Sequence, residues 1–205
     1  MSIVRAGLTF LGRRRCRMAS TARPVRADAA RNRARVLEVA YQTFADEGLS
    51  VPIDEIARRA CVGAGTVYRH FPTKEALFEA VIAERMRHLI GEGRSLLESE
   101  APGNALFTFL RSMVLQWGAA DRGLVEALAG IGIDISDAVP GAEEEFLSVL
   151  ADLLQAAQRA GTARPDVGVG EVKTLLVGCQ AMQVYNADAA ATVTDVALDG
   201  LRAKP

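Results

Sequence analysis

Residues 53–82 read IDEIARRACVGAGTVYRHFPTKEALFEAVI, and this stretch decides the fold. Apolar residues recur at helical spacing within residues 53–60, and a second short group, Val67 and Phe71, follows. The three residues CVG separate the groups, which predicts one helix stopping near Ala60 and another starting near Ala64. Two short helices across so tight a turn form the helix-turn-helix pattern.

The second of these helices carries a dense set of polar side chains: Thr66, Tyr68, Arg69, His70 and, just beyond it, Lys74. An active site or a phosphate backbone would need such a set. Arg69 can reach guanine edges, and Thr66, Tyr68 and His70 can donate to phosphates. Lys74 opens the next helix, where its ammonium and the helix N–H groups both favour a phosphate. The set therefore suits a sugar-phosphate backbone better than a substrate.

Small residues at the start of this helix, Ala64 and Gly65, would let it approach a groove closely. A purely structural interpretation stays open for single residues. His70 can satisfy a backbone carbonyl, and Tyr68 can pack against Tyr41. That interpretation is weaker for the whole set.

The stretch VLEVAYQTFADEG at residues 36–48, followed by residues 53–82, resembles the DNA-binding domain of the TetR family of bacterial transcriptional regulators. The resemblance runs from about residue 28 to residue 82, and TVYRHFPTKEAL is its most specific part. It implies a homodimer that binds a palindromic operator, usually as a repressor, with a recognition helix at about residues 64–71. It also implies base contacts around Ala64, Gly65, Tyr68 and Arg69, and phosphate contacts from Thr66, Tyr68, His70 and Lys74.

Three positions depart from the family pattern. Cys61 stands where members often have Gly, and it would be strained if the turn needs a positive φ. Gly63 stands where Ser or Thr is common. The usual Thr cap is also missing, so Ser50 or Pro52 must begin the first helix of the motif, and Pro is acceptable there. Cys61 also raises an alternative function, a thiol-based redox sensor in which oxidation disturbs DNA docking.

The rest of the chain reads almost entirely at the helical period, which predicts an all-α protein of about nine helices. We expect residues 26–75 to form the helix-turn-helix domain and residues 76–205 a helical effector-binding and dimerisation domain. The resemblance implies that the last two helices form the dimer interface, and their surplus of apolar residues agrees. Bulky apolar groups and glutamines on several helices can line a cavity for a small apolar ligand, or simply pack as core. The candidate pocket residues are Phe107, Phe109, Met113, Gln116, Trp117, Phe146, Cys179, Met182, Gln183 and Tyr185.

Charge is divided unevenly along the chain. Residues 1–88 hold 16 of the 24 basic and 9 of the 25 acidic residues, which suits a polyanion partner for the first half. Three separated cysteines and two histidines form no metal-ligand spacing, and no nucleophile–base pair or phosphate loop is present. We therefore expect no metal, no cofactor, no enzyme activity and no membrane span, and a reducing cytoplasm as the location.

The first residues, MSIVRAGLTFLGRRRCRMASTARPVRAD, are rich in Arg and nearly free of acid. Their charges follow a short apolar run rather than preceding a long one, so a secretory signal is not expected. Met18 is a candidate start, and we expect residues 1–25 to be a disordered basic tail.

Overall fold

A computed structural model of the chain describes residues 25–116, 124 and 139–204. The predicted all-α class is confirmed, and the described residues contain eight α-helices and no strand. Two 3₁₀ turns, Gly48–Ser50 and Ala187–Ala189, connect helices. The helices are α1 Val25–Glu47, α2 Ile53–Arg59, α3 Ala64–His70, α4 Lys74–Ser99, α5 Ala105–Leu115, α6 Ala142–Arg159, α7 Val169–Tyr185 and α8 Ala190–Asp199. None of these described helices is both long enough and apolar enough to cross a membrane.

A first hydrophobic cluster joins α1, α2, α3 and the start of α4. Its centre is the predicted apolar stripe of α1, in which Phe44 meets Phe78 of α4 edge-on with ring centroids 5.4 Å apart. Gly48 follows α1 with φ +70°, a left-handed conformation that ends a helix at low cost in glycine. Pro52 is the residue before α2, where its missing N–H removes no helix hydrogen bond. The predicted helix-turn-helix is therefore present.

The turn between α2 and α3 contains the strained position that the sequence predicted. Cys61 has φ +53°, and it is the only non-glycine residue with positive φ in the part of the chain described. Its side chain is exposed. This turn sets the direction in which α3 leaves α2.

A second hydrophobic cluster is formed by the end of α4 together with α5, α6, α7 and α8. Helix α6 carries three glutamates in its first turn, where the helix dipole stabilises negative charge, and Gly161 follows it with φ +71°. The end of the chain packs onto this cluster. The Arg164 N–H donates to the Leu201 carbonyl at 2.9 Å, and the Arg202 guanidinium lies 4.2 Å from the centroid of the Phe107 ring.

Helix α4 belongs to both clusters. Its first turns bury Leu77 and Phe78 in the first cluster, and its later turns bury Leu89 and Ile90 in the second. Met86, between them, packs against both. A displacement of α4 in one cluster is therefore transmitted to the other.

Candidate nucleic-acid interface

Helix α3 buries one side and exposes the other. Val67 is its buried residue, and Phe71, which follows the helix, is buried as well. On the other side Tyr68 is 44% exposed, and Arg69 and His70 are exposed too. Because α3 is only two turns long, this burial fixes which side chains it presents to a partner.

Six of the seven predicted DNA-contact residues lie in α3, and the seventh, Lys74, is the first residue of α4. Gly65 is exposed, and Ala64 and Thr66 are half-buried at the start of the helix. Among the described residues, no hydrogen bond or ion pair engages Tyr68, Arg69 or His70. The imidazole of His70 has only a tilted contact with the Phe71 ring, at 6.1 Å between centroids. These three side chains therefore keep their donors for an outside partner.

The arginines of α2 are exposed but ion-paired within the protein, in contrast to Arg69. Arg58 donates to Glu55 at 2.7 Å and Arg59 donates to the same carboxylate at 2.8 Å. These hydrogen bonds, that of Arg58 first, lower the pKa of Glu55 to about 2. Arg59 also bonds the carboxylate of Glu47 at the end of α1, which lowers the pKa of Glu47. The network ties α2 to α1 and leaves Arg69 as the unpaired guanidinium of the motif.

Lys74 has an internal partner that the sequence did not reveal. Its Nζ donates to the carbonyl oxygen of Leu49, 25 residues earlier in the chain. The bond joins the segment before α2 to the start of α4. Thr73 caps α4 by accepting from the Ala76 N–H at 3.1 Å, as its position before the helix predicts. An ammonium has three donors, so Lys74 retains donors for a phosphate.

The sequence reasoning missed Arg33 of α1. Its guanidinium lies 5.6 Å from the centroid of the Phe71 ring and 3.9 Å from the Glu84 carboxylate. It adds a cation beside the end of α3. The arginine-rich character of α1 was visible in the sequence, but its position next to Phe71 depends on how α1 crosses α3.

The candidate pocket residues of the second half separate into two groups. Phe107, Phe109, Met113, Phe146 and Cys179 are buried in the second cluster, and burial raises the pKa of the Cys179 thiol. Those on the surface are Gln116, Met182, which is 40% exposed, and Tyr185, which is 94% exposed. Trp117 and the side chain of Gln183 lie outside the described residues. The buried group packs as core, with the rings of Phe109 and Phe146 at 6.3 Å.

An open groove of about 570 Å³ runs along α4 beside the end of α5. It is lined by residues of α4 between Arg87 and Leu96 and by Gln116, which is the one predicted pocket residue among those described that reaches it.

Two family profiles match the chain. The profile described as "Bacterial regulatory proteins, tetR family" matches residues 36–81, and the one described as "Transcriptional regulator SbtR-like, C-terminal domain" matches residues 101–203. The second match alone spans half of the chain. The chain belongs to the TetR family. It is a DNA-binding transcriptional regulator of that family, as the resemblance predicted.

Relatives of known sequence or structure agree with this TetR assignment. A TetR transcription regulatory protein from Mycobacterium vanbaalenii is 59% identical with a TM-score of 0.74, over 87% of this chain and 99% of that one. The TetR regulator SCO0520 from Streptomyces coelicolor is 31% identical with a TM-score of 0.73, over 84% of this chain and 99% of that one. The HTH-type transcriptional regulator SrpR from Pseudomonas putida is 27% identical over 186 residues, 86% of each chain.

Most of the first hydrophobic cluster lies within the TetR N-terminal match, and most of the second lies within the C-terminal match. In the second region α7 and α8 leave large apolar side chains uncovered. Val177 is 56% exposed and Val196 68% exposed, in addition to Met182 and Tyr185. One face of the last two helices is therefore apolar and unpartnered in the single chain.

Proposed function

We propose that this TetR-family regulator is a homodimeric repressor that leaves a palindromic operator when a small effector binds its second half. The exposed, unpaired Arg69 on α3 carries the proposal for operator recognition. An ion-paired arginine such as Arg58 would first have to break an internal bond, whereas Arg69 is ready to meet a guanine O6 and N7 pair. We propose residues 26–75 as the DNA-binding domain, residues 76–205 as the effector and dimerisation domain, and the cytoplasm as the place of action. The family assignment supports a regulator and not an enzyme.

The apolar face of α7 and α8 supports the dimer. Exposed Val177, Met182, Tyr185 and Val196 form too much uncovered apolar surface for one layer of helices. Two copies packed through these helices would cover it and would place two α3 helices on one side of DNA. Recognition of half-sites about one helical turn apart requires this two-fold arrangement.

The dimer is tested by a charge in this face. Val177→Glu would bury a carboxylate at the interface, so we expect monomers in sedimentation velocity at concentrations where the native chain is a dimer. Gln155→Glu, which adds the same charge on the exposed side of α6, is the control and should remain dimeric. If the Val177→Glu variant remains a dimer, the dimer interface does not lie on this face of α7 and α8.

The effector step rests on two connections between the clusters. Helix α4 packs into both, with Met86 against each. Leu124 comes after α5 in the chain and yet is buried in the first cluster. An effector that binds one arrangement of α4 and Leu124 more tightly would shift the dimer toward that arrangement and so change the spacing of the two α3 helices. The free energy of this shift cannot exceed the difference between the effector's binding free energies for the two arrangements.

Operator recognition is tested by selecting bound duplexes from a random library with the purified full chain. We expect enrichment of one palindrome. Arg69→Ala should weaken binding to that palindrome about 10- to 100-fold, which corresponds to the 1–3 kcal/mol of a guanine contact. Arg159→Ala, which removes an exposed arginine of α6, is the control and should bind as the native chain does. A folded dimer that enriches no sequence would refute the proposal.

A further inference from the structure

Two arginines and two glutamates form one ion-pair network on α2 and the end of α1. Arg58 donates to both oxygens of the Glu55 carboxylate, through Nε at 2.7 Å and through Nη2 at 2.6 Å. Arg59 donates from Nε to Glu55 Oε1 at 2.8 Å, and its other two nitrogens donate to the Glu47 carboxylate. The two positive and two negative charges sum to zero.

The network is accessible to a large partner. The side chain of Arg58 is 72% exposed, and that of Arg59 is 33% exposed. The pKa of Glu55, about 2, keeps its carboxylate ionised at neutral pH. Both arginines are therefore on the surface, and both are matched by negative charge under the conditions in which DNA is bound.

The network lies beside residues predicted to contact DNA. Glu47 is two residues before Leu49, whose carbonyl oxygen accepts the hydrogen bond from Lys74. Arg58 is three residues before Cys61, in the turn that leads into α3. In a helix-turn-helix the first helix crosses the phosphate backbone while the second enters the major groove. Helix α2 is that first helix, so its exposed arginines lie where phosphates pass.

An exposed arginine in such a place would ordinarily attract DNA of every sequence. Because exposed ion pairs are weak, a phosphate could draw Arg58 away from Glu55. The Glu55 carboxylate would then be left next to the same phosphate, and its repulsion would offset the attraction. The arginines of α2 thus add little net attraction for phosphates, whereas Arg69 and Lys74 have no carboxylate partner among the described residues.

We propose that Glu55 is a specificity-determining residue, which together with Glu47 cancels the charge of Arg58 and Arg59 and keeps binding to arbitrary DNA weak. Phosphate contacts supply affinity for all sequences, whereas base contacts discriminate between them. A regulator competes with the very many non-specific sites of a genome, so weaker non-specific binding places more of it on its operator. This inference rests on the DNA binding of the proposed function and names residues that limit its non-specific part.

Binding is measured by fluorescence anisotropy with the full chain over a series of salt concentrations. The two probes are a random-sequence duplex and the palindrome that the native chain enriches. Glu55→Gln removes the charge and keeps the shape of the side chain. It should bind the random duplex about three- to tenfold more tightly near physiological salt, and the slope of log affinity against log salt should steepen by about 0.9, the value for one added phosphate contact. Partial unfolding would weaken binding, so it cannot produce this gain.

The palindrome should gain less than the random duplex. Base contacts hold α3 in one register there, so the freed Arg58 cannot choose among phosphates as it can on random DNA. The ratio of the two affinities should therefore fall about threefold in Glu55→Gln. Glu55→Gln/Arg58→Gln, which removes the freed positive charge as well, should return the slope and the ratio to their native values.

Glu98→Gln is the matched control, because it makes the same change in net charge at the other end of α4. It should bind both duplexes as the native chain does. An unchanged affinity of Glu55→Gln for the random duplex, an equal gain on both duplexes, or the same gain in Glu98→Gln would each overturn the proposal. If the native chain enriches no palindrome, operator recognition fails by itself, and the salt slope on the random duplex still decides whether Glu55 offsets the arginines.

Discussion

Gly91 and Gly93 lie two residues apart in α4 and have opposite surroundings. A Cβ added to Gly91 would meet nothing within 4 Å, whereas a Cβ on Gly93 would lie 2.5 Å from Val149 Cγ1 of α6 and 3.5 Å from the Phe109 ring. Carbon atoms pack best at about 3.5–4.0 Å, so the new methyl at Gly93 overlaps Val149 by about 1 Å. Val149 is buried and β-branched, and it has little rotamer freedom with which to move away.

The magnitudes separate the two alanine variants. Replacing Gly by Ala inside a helix gains about 1 kcal/mol, and both variants share this gain. Gly93→Ala also overpacks the contact between α4 and α6, at a cost of about 1–3 kcal/mol. The difference between the variants cancels the helix preference and measures the overpacking alone. We therefore expect Gly91→Ala to raise the free energy of unfolding, and Gly93→Ala to lie about 1–3 kcal/mol below it.

Urea unfolding followed by far-UV circular dichroism would test this, with all variants at one protein concentration. Val149→Ala supplies the coupling test, because removing the branched side chain makes room for the new methyl. The double variant Gly93→Ala/Val149→Ala should be at least 1 kcal/mol more stable than the sum of the single changes predicts. If Gly93→Ala unfolds with a free energy equal to or above that of Gly91→Ala, the close approach of α4 to α6 is not as described.

Three further predictions concern the turn, the arginine network and the end of the chain. Cys61→Gly should be more stable than Cys61→Ala by about 0.5–1 kcal/mol in the same urea assay, since only Gly avoids the left-handed strain; equal stability would contradict the positive φ. The lowered pKa of Glu55, about 2, means that its ion pairs stabilise the fold above about pH 4.5 and that this contribution is lost as the pH falls toward 2. The native chain should therefore melt higher than Glu55→Gln at neutral pH, and the gap should close in that acidic window; a gap independent of pH would exclude the ion pairs as its cause. Arg202→Gln should cost about 0.5–1 kcal/mol, because it removes the cation from Phe107 and an exposed hydrogen bond to Asp199. Lys204→Gln is the near-neutral control, and equal effects of the two changes would count against the contact with Phe107.

The helices and the exposed face of α3 were predictable because they depend on short-range rules. The spacing of Val67 and Phe71 identifies the buried side of α3, and the exposed side follows from it. Strain at Cys61 was expected if the turn needs a positive φ, because family members often have Gly at this position, and its φ of +53° meets that condition. For the same reason Thr73 could be identified next to the start of α4, where it caps the helix. Each inference involves residues within about one or two helical turns of one another.

The sequence did not show which of the candidate pocket residues of the second half are buried and which are on the surface. Helical spacing grouped Met182 and Tyr185 with the bulky residues of the second half, but periodicity alone does not distinguish a face that meets the core from one left for a second copy.

The sequence by itself determined the helices, the helix-turn-helix and the polar set on α3, because backbone sterics and apolar periodicity act over a few residues. Only the tertiary structure decided which charged groups are free. Lys74 meets Leu49 and Arg59 meets Glu47, while Arg69 meets no partner among the described residues. These outcomes depend on the distances and angles at which helices cross, and the packed volumes of many distant side chains set those together.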